Sequence, residues 1–222
     1  RLTDAGVRVQ TGLCRDAAIR LNAGYLSVRN DHRPLITLKI AMTLDGRIAT
    51  STGRSKWITG EQARRYGHMM RAQHDAIAVG IGTANADNPS LTCRLPGLEH
   101  RSPLRVVFDS QLNLHPASAL ADTSLGRTVL LTTESPDSDR GQVLVSRGVE
   151  IIPVKAGSGG QPDIQAALHT LADRGVTRLL VEGGAGLATA FLQSDCVDEL
   201  AVFSAPLAFG SDGLAAIGQL GL

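Results

Sequence analysis

Two glycine-rich turns and a scattered set of charged residues give this 222-residue chain its chemical character. Glu182-Gly183-Gly184-Ala185-Gly186 follows the apolar run Arg178 to Val181 and leads into a helical stretch. Glycines without a Cβ let backbone amides approach a pyrophosphate, and the start of a helix adds partial positive charge. An ordinary strand-to-helix turn needs one glycine rather than three. Gly80-Ile81-Gly82-Thr83-Ala84-Asn85 also follows an apolar run. It begins like a dinucleotide fingerprint, but Asn85 stands where a third glycine or alanine belongs, and Asp87-Asn88-Pro89 would serve equally as a plain turn. Glu182 itself, at the end of a buried run, is costly without a partner. Lys39, in the otherwise apolar Leu35 to Ala41, could be that partner, either as a structural ion pair or as part of a pocket wall.

The stretch from Leu35 to Arg65 carries the other chemistry. Asp45-Gly46 marks a turn. Ser55-Lys56-Trp57 sets a hydroxyl, a cation and the single tryptophan side by side, ahead of Thr59 and Gln62, which fit an N-cap and capping box. A flat aromatic beside polar and charged groups suits a heterocycle carrying a phosphate. Arg71 and Arg94 are candidates for such a phosphate, because a guanidinium fork matches its oxygens; an arginine on a helix is otherwise a solvated surface group. Asp109-Ser110 closes a further apolar run, where a dehydrogenase would use the acid on a ribose hydroxyl; Asp109 could equally cap a nearby turn. The six histidines, His32, His68, His74, His100, His115 and His169, lack metal-ligand spacing, so none is given a role and no metal is expected.

These residues need a scaffold, and the pattern supplies an α/β one. Strands are expected at Leu35 to Ala41, Asp75 to Gly80, Leu104 to Asp109, Thr128 to Thr132, Val149 to Val154, Arg178 to Val181 and Glu199 to Phe203. They alternate with helical patterns and are rich in valine, isoleucine and leucine, as in a mostly parallel sheet with helices on both faces. The clearest helix is Asp163 to Arg174, with Ile164, Ala167, Leu168, Leu171 and Ala172 on one face and Gly175 as its stop. Glu61 to Gln73 and Leu187 to Ser194 are the other two. Ser135 to Gly141 and Ala156 to Gln161 read as loops. Residues 1–34 read as a separate unit: a possible strand at Val7 to Thr11, a helical stretch from Asp16 to Leu26, and the polar connector Asn30 to Pro34.

Composition narrows the function. Twenty-two basic residues against 21 acidic ones, and 3% aromatic content, offer neither a nucleic-acid field nor a stacking platform. Three distant cysteines favour a reducing cytoplasm over a disulfide framework. No apolar run reaches the ~20 residues of a membrane span, and residues 1–25 lack a signal-peptide pattern.

The wording of several segments resembles one family. The strand TLKIAMTLDGRIA, SKWITG after it, GIGTANADNPSLTCR (Gly80 to Arg94), VVFDS (Val106 to Ser110), LLVEGGAGLATAFL (Leu179 to Leu192) and VDEL (Val197 to Leu200) resemble, in the same order, the reductase domain of the bifunctional riboflavin-biosynthesis deaminase/reductase. The resemblance covers nearly everything after Pro34. It implies the dihydrofolate-reductase-like α/β fold and an NADPH-dependent reduction of 5-amino-6-(5-phosphoribosylamino)uracil, with hydride passing to ribose C1'. It also implies site residues: Ser55, Arg71, Leu91, Arg94 and Glu182 at the phosphorylated pyrimidine substrate; Ala41, Trp57, Thr83 and Asp87 along the nicotinamide nucleotide; Ser110 at the 2'-phosphate end; and the run Gly184, Ala185, Gly186, Leu187, Ala188, Thr189 and Ala190 under the pyrophosphate. Lys39 and Glu182 would orient or protonate the opening sugar ring. A homodimer in the cytoplasm is the expected form, with residues 1–34 as the remnant of a deaminase domain and its linker. The zinc-deaminase signature is missing from this sequence. Because the chain starts with arginine, and because the family implies strands beyond Leu222, both ends are expected to be cuts in a longer protein. Rival readings are a pterin or other pyrimidine reductase on the same scaffold, and a non-catalytic NADPH-binding scaffold.

Overall fold

The computed structural model describes residues 1–53 and 60–221. Its centre is a seven-stranded, wholly parallel sheet. In chain order the strands are β1 (Leu35–Thr43), β3 (Ala76–Gly80), β4 (Leu104–Phe108), β5 (Thr128–Thr132), β6 (Glu150–Pro153), β7 (Arg178–Val181) and β8 (Glu199–Ala205), while β2 (Arg47–Ala49) and β9 (Leu214–Ala215) form a separate antiparallel pair. The spatial order is β6-β5-β4-β3-β7-β1-β8. All seven expected strands are present, and the parallel sheet with helices on both faces is the architecture expected.

Side-chain alternation divides the sheet into two cores. Ile36, Leu38, Ala78, Val106, Leu131, Leu179 and Val181 point to one face, under α6 (Ile164–Asp173) and α7 (Ala185–Gln193). Ile77, Val79, Val107, Leu130 and Leu180 point to the other, under α3 (Glu61–Gln73), α4 (Ile81–Asp87) and α5 (Asp139–Ser146). Strands covered on both sides read as continuous apolar runs because neither face meets water. Asp163 caps α6, its carboxylate accepting from the Ala166 amide at 2.8 Å, and Gly175 beyond its end takes φ +85°, where a side chain would be strained.

Several expectations change. The Val7 to Thr11 run forms no strand, since no edge lies alongside to complete its hydrogen bonds. The helical stretch near it splits at Asn22 into α1 (Arg15–Leu21) and α2 (Ala23–Asp31), so the supposed connector begins inside a helix. The turn at residues 81–87 is a helix. Part of the Ser135 to Gly141 loop is the start of α5, capped by the Ser138 hydroxyl on the Gly141 amide at 3.2 Å. At α3 the cap position falls on Gly60, not on the proposed capping box, and Thr59 lies outside the described residues.

The strand order sets where a ligand can enter. From β3 the chain steps outward through β4, β5 and β6, then returns to insert β7 between β3 and β1. At such a reversal the loops leave the carboxyl ends in opposite directions and open a crevice. Arg33 anchors residues 1–34 to this frame, its Nη1 and Nη2 gripping Asp198 at 2.6 and 2.9 Å beside β8. Asp198 also accepts from the Ile36 amide at 2.7 Å, which gives the acid of the VDEL motif a structural task.

Candidate active site

A cleft of about 670 Å³ lies over the carboxyl ends of β1, β3 and β7, with the β2–β9 pair as its far wall. Lys39 and Ala41 reach it from β1, Thr83 and Asp87 from α4, and Glu182, Gly184, Ala185, Gly186 and Leu187 from the turn into α7. Register brings the first charged pair together: Leu38 pairs with Val181, so Lys39 and Glu182 follow on adjacent strands. Lys39 Nζ sits 3.9 Å from Glu182 Oε2 and 5.5 Å from the centre of the Phe203 ring.

Arg71 is the closer partner of Glu182. Its Nε donates to Oε1 at 3.0 Å and its Nη2 to Oε2 at 2.9 Å, a fork on a carboxylate, while Nη1 donates to the Thr92 carbonyl at 3.1 Å. Burial pushes Glu182 up, but the Arg71 charge and hydrogen bonds, with Lys39 behind them, outweigh it and hold the carboxyl below the usual range. Glu182 is therefore an ionised acceptor at neutral pH. The carboxylate leans toward Arg71 and Lys39 from the cleft floor, its side chain 11% exposed.

The glycines do distinct jobs. A Cβ on Gly183 would come within 2.7 Å of Leu187 Cβ, and one on Gly184 within 3.0 Å of the Thr83 hydroxyl. The Gly184 amide donates to that hydroxyl at 2.9 Å, tying α4 to the turn. Gly186 has open space around its Cβ position, so the cradle is closed behind and open in front. The first amides of α7 have no acceptor within the helix and point along its positive end. A phosphate-bearing nucleotide fits this build, and the volume falls within the ~300–1,000 Å³ of small-molecule sites.

The remaining predicted residues lie at graded distances. Leu91 is buried next to Thr92 with φ +55°, a strained conformation for a leucine that the packing around it must enforce. Arg94 is exposed: its Nη1 donates to the Ser90 hydroxyl at 3.4 Å, and its amide to His68 Nδ1 at 3.3 Å. Burial, with the Arg71 and Arg94 charges nearby, lowers His68. Within α7 the cleft lining ends at Leu187. Ala188 is buried in the core and Ala190 packs against it, while the Thr189 hydroxyl donates to the Ala185 carbonyl at 2.6 Å. Ser110 stands apart at the end of β4, donating to Gln161 Oε1 at 3.0 Å. Asp109 turns inward, accepting from the Leu114 amide at 2.8 Å, so it is a turn cap and not a ribose ligand. Ser55, Lys56 and Trp57 lie outside the described residues.

Sequence reasoning missed the wall opposite the glycines, formed by Ile48, Ala49, Leu214 and Ala216, and the device that holds it. Asp45 accepts from the Thr43 hydroxyl at 2.5 Å and from the Phe209 and Gly210 amides at 3.0 and 2.7 Å. It was legible only as half of an Asp-Gly turn, because the backbone amides it holds lie some 164 positions away.

An open parallel sheet with a glycine-cradled cleft at its topological reversal defines an α/β protein of the dihydrofolate-reductase-like class. The chain belongs to the RibD C-terminal domain family, whose sequence model matches residues 34–222. It is 37% identical to the riboflavin biosynthesis protein RibD of Bacillus amyloliquefaciens, over 94% of this chain and 55% of that protein. It is 34% identical to RibD of Aquifex aeolicus, over 100% and 60%. Among solved structures, Acinetobacter baumannii RibD superposes with a TM-score of 0.85 at 31% identity, covering 98% of this chain and 59% of that one. A Thermotoga maritima protein, described as a diaminohydroxyphosphoribosylaminopyrimidine deaminase/5-amino-6-(5-phosphoribosylamino)uracil reductase, gives 0.82 at 31%, covering 96% and 56%. The chain thus spans less than two thirds of these relatives. No helix among the described residues is long and apolar enough to cross a membrane.

Proposed function

We propose that this chain reduces 5-amino-6-(5-phosphoribosylamino)uracil to its ribitylamino product with NADPH, as a cytoplasmic homodimer and as the reductase part of a longer bifunctional protein in which residues 1–34 end the preceding deaminase unit. One observation carries the reading: an ionised Glu182, an Arg71 fork and the Lys39 ammonium converge beside a glycine turn that has room for a phosphate.

When bound, NADPH would supply the hydride that C1' of the opened ribosylamine takes up. The chain holds and balances the charge around that carbon. Glu182, ionised, accepts from sugar hydroxyls and stabilises positive charge developing at the opening imine. Lys39 is the proton donor of the pair, its ammonium standing at the Glu182 carboxylate. Arg71, committed to Glu182 and the Thr92 carbonyl, positions the carboxylate. This leaves exposed Arg94, with Ser55, to hold the sugar phosphate, while buried Leu91 backs that side of the substrate pocket. Ala41, Trp57, Thr83 and Asp87 would flank the nicotinamide end; Gly184 to Leu187 would carry the pyrophosphate, with Ala188, Thr189 and Ala190 behind them as the helix that holds the turn, and Ser110 would lie toward the 2'-phosphate end. Such chemistry depends on placement more than on activated groups.

The test is NADPH oxidation, followed by loss of its absorbance, with the deaminated and the still-aminated pyrimidine supplied separately. Turnover with the deaminated compound supports the reading. Turnover with neither, while a pterin is reduced, would replace it.

A further inference from the structure

A second cleft, of about 590 Å³, opens at the other end of the sheet, over the amino ends of β1, β7 and β8. Ligands of open α/β sheets sit at carboxyl ends, so this cavity is not an extension of the first. Its charge is lopsided. Arg20 of α1, Arg101 of the short turn Glu99–Arg101 ahead of β4 and Arg178 at the start of β7 line it, against the single carboxylate of Glu199. None of the three guanidiniums has a carboxylate within 4.0 Å among the described residues. Two of them make only long bonds to carbonyls, Arg101 to Ala72 and Arg178 to Arg20, each at 3.4 Å.

The floor is a buried polar chain. His74 and Thr37, each under a tenth exposed, face the cleft. His74 Nδ1 lies 2.6 Å from the Met70 carbonyl and so must carry a proton; Nε2 lies 3.0 Å from the Thr37 hydroxyl, which donates to Glu199 Oε2 at 2.8 Å. Burial lowers His74, so near neutral pH the ring is uncharged and the single Thr37 proton is shared between Nε2 and Glu199. An anion above would favour the imidazolium, whose second ring proton Nε2 would donate to the Thr37 hydroxyl. Exposed Tyr66 and Leu200 form an apolar rim.

We propose that this cleft is a second ligand site, for a phosphate-bearing small molecule whose planar or apolar body rests on Tyr66 and Leu200. Three guanidiniums facing one carboxylate suit a multiply charged phosphate rather than a monocarboxylate. Arg20 precedes the family-matched residues 34–222 whereas Arg101 and Arg178 lie within them, so a bound phosphate would also brace α1 against the sheet.

Inorganic pyrophosphate is the probe, titrated into the full chain by calorimetry while the ring resonances of His74 are followed by NMR. Saturable binding with a shift of the His74 signals is expected, and the Arg20→Ala, Arg101→Ala double variant should weaken it about tenfold or more, as loss of charge-assisted contacts requires. Both side chains are exposed, so the melting temperature should hold; Arg101→Ala alone gives the same direction should the double variant fold poorly. Binding that leaves His74 unmoved would belong to the first cleft and overturn the proposal, as would an affinity unchanged in the variants. Acetate at the same concentration should not shift His74, and an equal shift would overturn the phosphate assignment.

Discussion

Arg105 and Arg71 are both largely withdrawn from water, and their surroundings separate architecture from chemistry. Arg105 on β4 is 1% exposed and meets only backbone oxygens: Nη1 donates to the Ala119 carbonyl at 2.9 Å, Nη2 to that of Asp122 at 2.8 Å and to that of Gly126, closing the loop between β4 and β5. Burial lowers its pKa, and the Asp122 carboxylate only partly offsets this. Arg71 instead grips a carboxylate that forms part of the cleft wall. A buried cation is thus no guide to function by itself. At Arg105 every partner is a carbonyl of the same loop, whereas at Arg71 the partner is an ionised group on a ligand-sized cavity.

The sharpest way to break that contrast is to remove each cation's contribution in turn. Arg105→Ala leaves several carbonyls without donors and should cost roughly 3–5 kcal/mol, about 10 °C in melting temperature for a chain of this size. The reduction rate per folded molecule at low temperature should stay unchanged; a rate loss without destabilisation would erase the distinction. Glu182→Gln should do the reverse, lowering the reduction rate about 100-fold while melting shifts by only a few degrees.

Acid sharpens the comparison. Because the folded Glu182 carboxyl titrates below its unfolded value of roughly 4.3, its contribution to stability is complete above that pH and fades as pH falls through the lower folded value. Acid denaturation of Glu182→Gln should lack that component.

A smaller effect is expected at the wall. The Thr43 hydroxyl and the Gly210 and Phe209 amides bring Asp45 down to about 2, so the clasp is present above the ordinary aspartate range and is lost only as pH falls toward that value. Asp45→Ala should raise the NADPH KM about threefold to tenfold with kcat nearly kept, and Asp45→Asn, which retains an acceptor, should recover part of it. Smallest is the contrast among thiols. Cys14 is exposed, whereas Cys93 and Cys196 are buried and burial pushes Cys196 up to about 11. A mild alkylating reagent near neutral pH should label one cysteine rapidly, and mass mapping should place it at Cys14.

The strands and the glycine turn into α7 were legible because burial on both faces leaves an unbroken apolar signature and because three glycines exceed what a turn requires. The Lys39–Glu182 pairing was legible as well, since a carboxylate at a buried strand end needs a cation. Arg71, its stronger partner, could not be chosen over other arginines, because its reach depends on how α3 packs across β7. The α4 helix was hidden by Gly82 and Asn85, poor helix formers held in place by Ala84 packing into the core. The β2–β9 wall and the Asp45 clasp join residues far apart in the chain, and local pattern carries no register for them.

The proposed reaction is transfer of a hydride, in the Glu182 cleft, from NADPH to a sugar carbon. Supplying the pyrimidine substrate with NADPH deuterated at nicotinamide C4, and locating the label in the product by mass spectrometry, tests this directly. One deuterium retained at C1' of the ribityl chain is the predicted result. A product formed without label from either face of the nicotinamide, or label found on the pyrimidine ring, would contradict it.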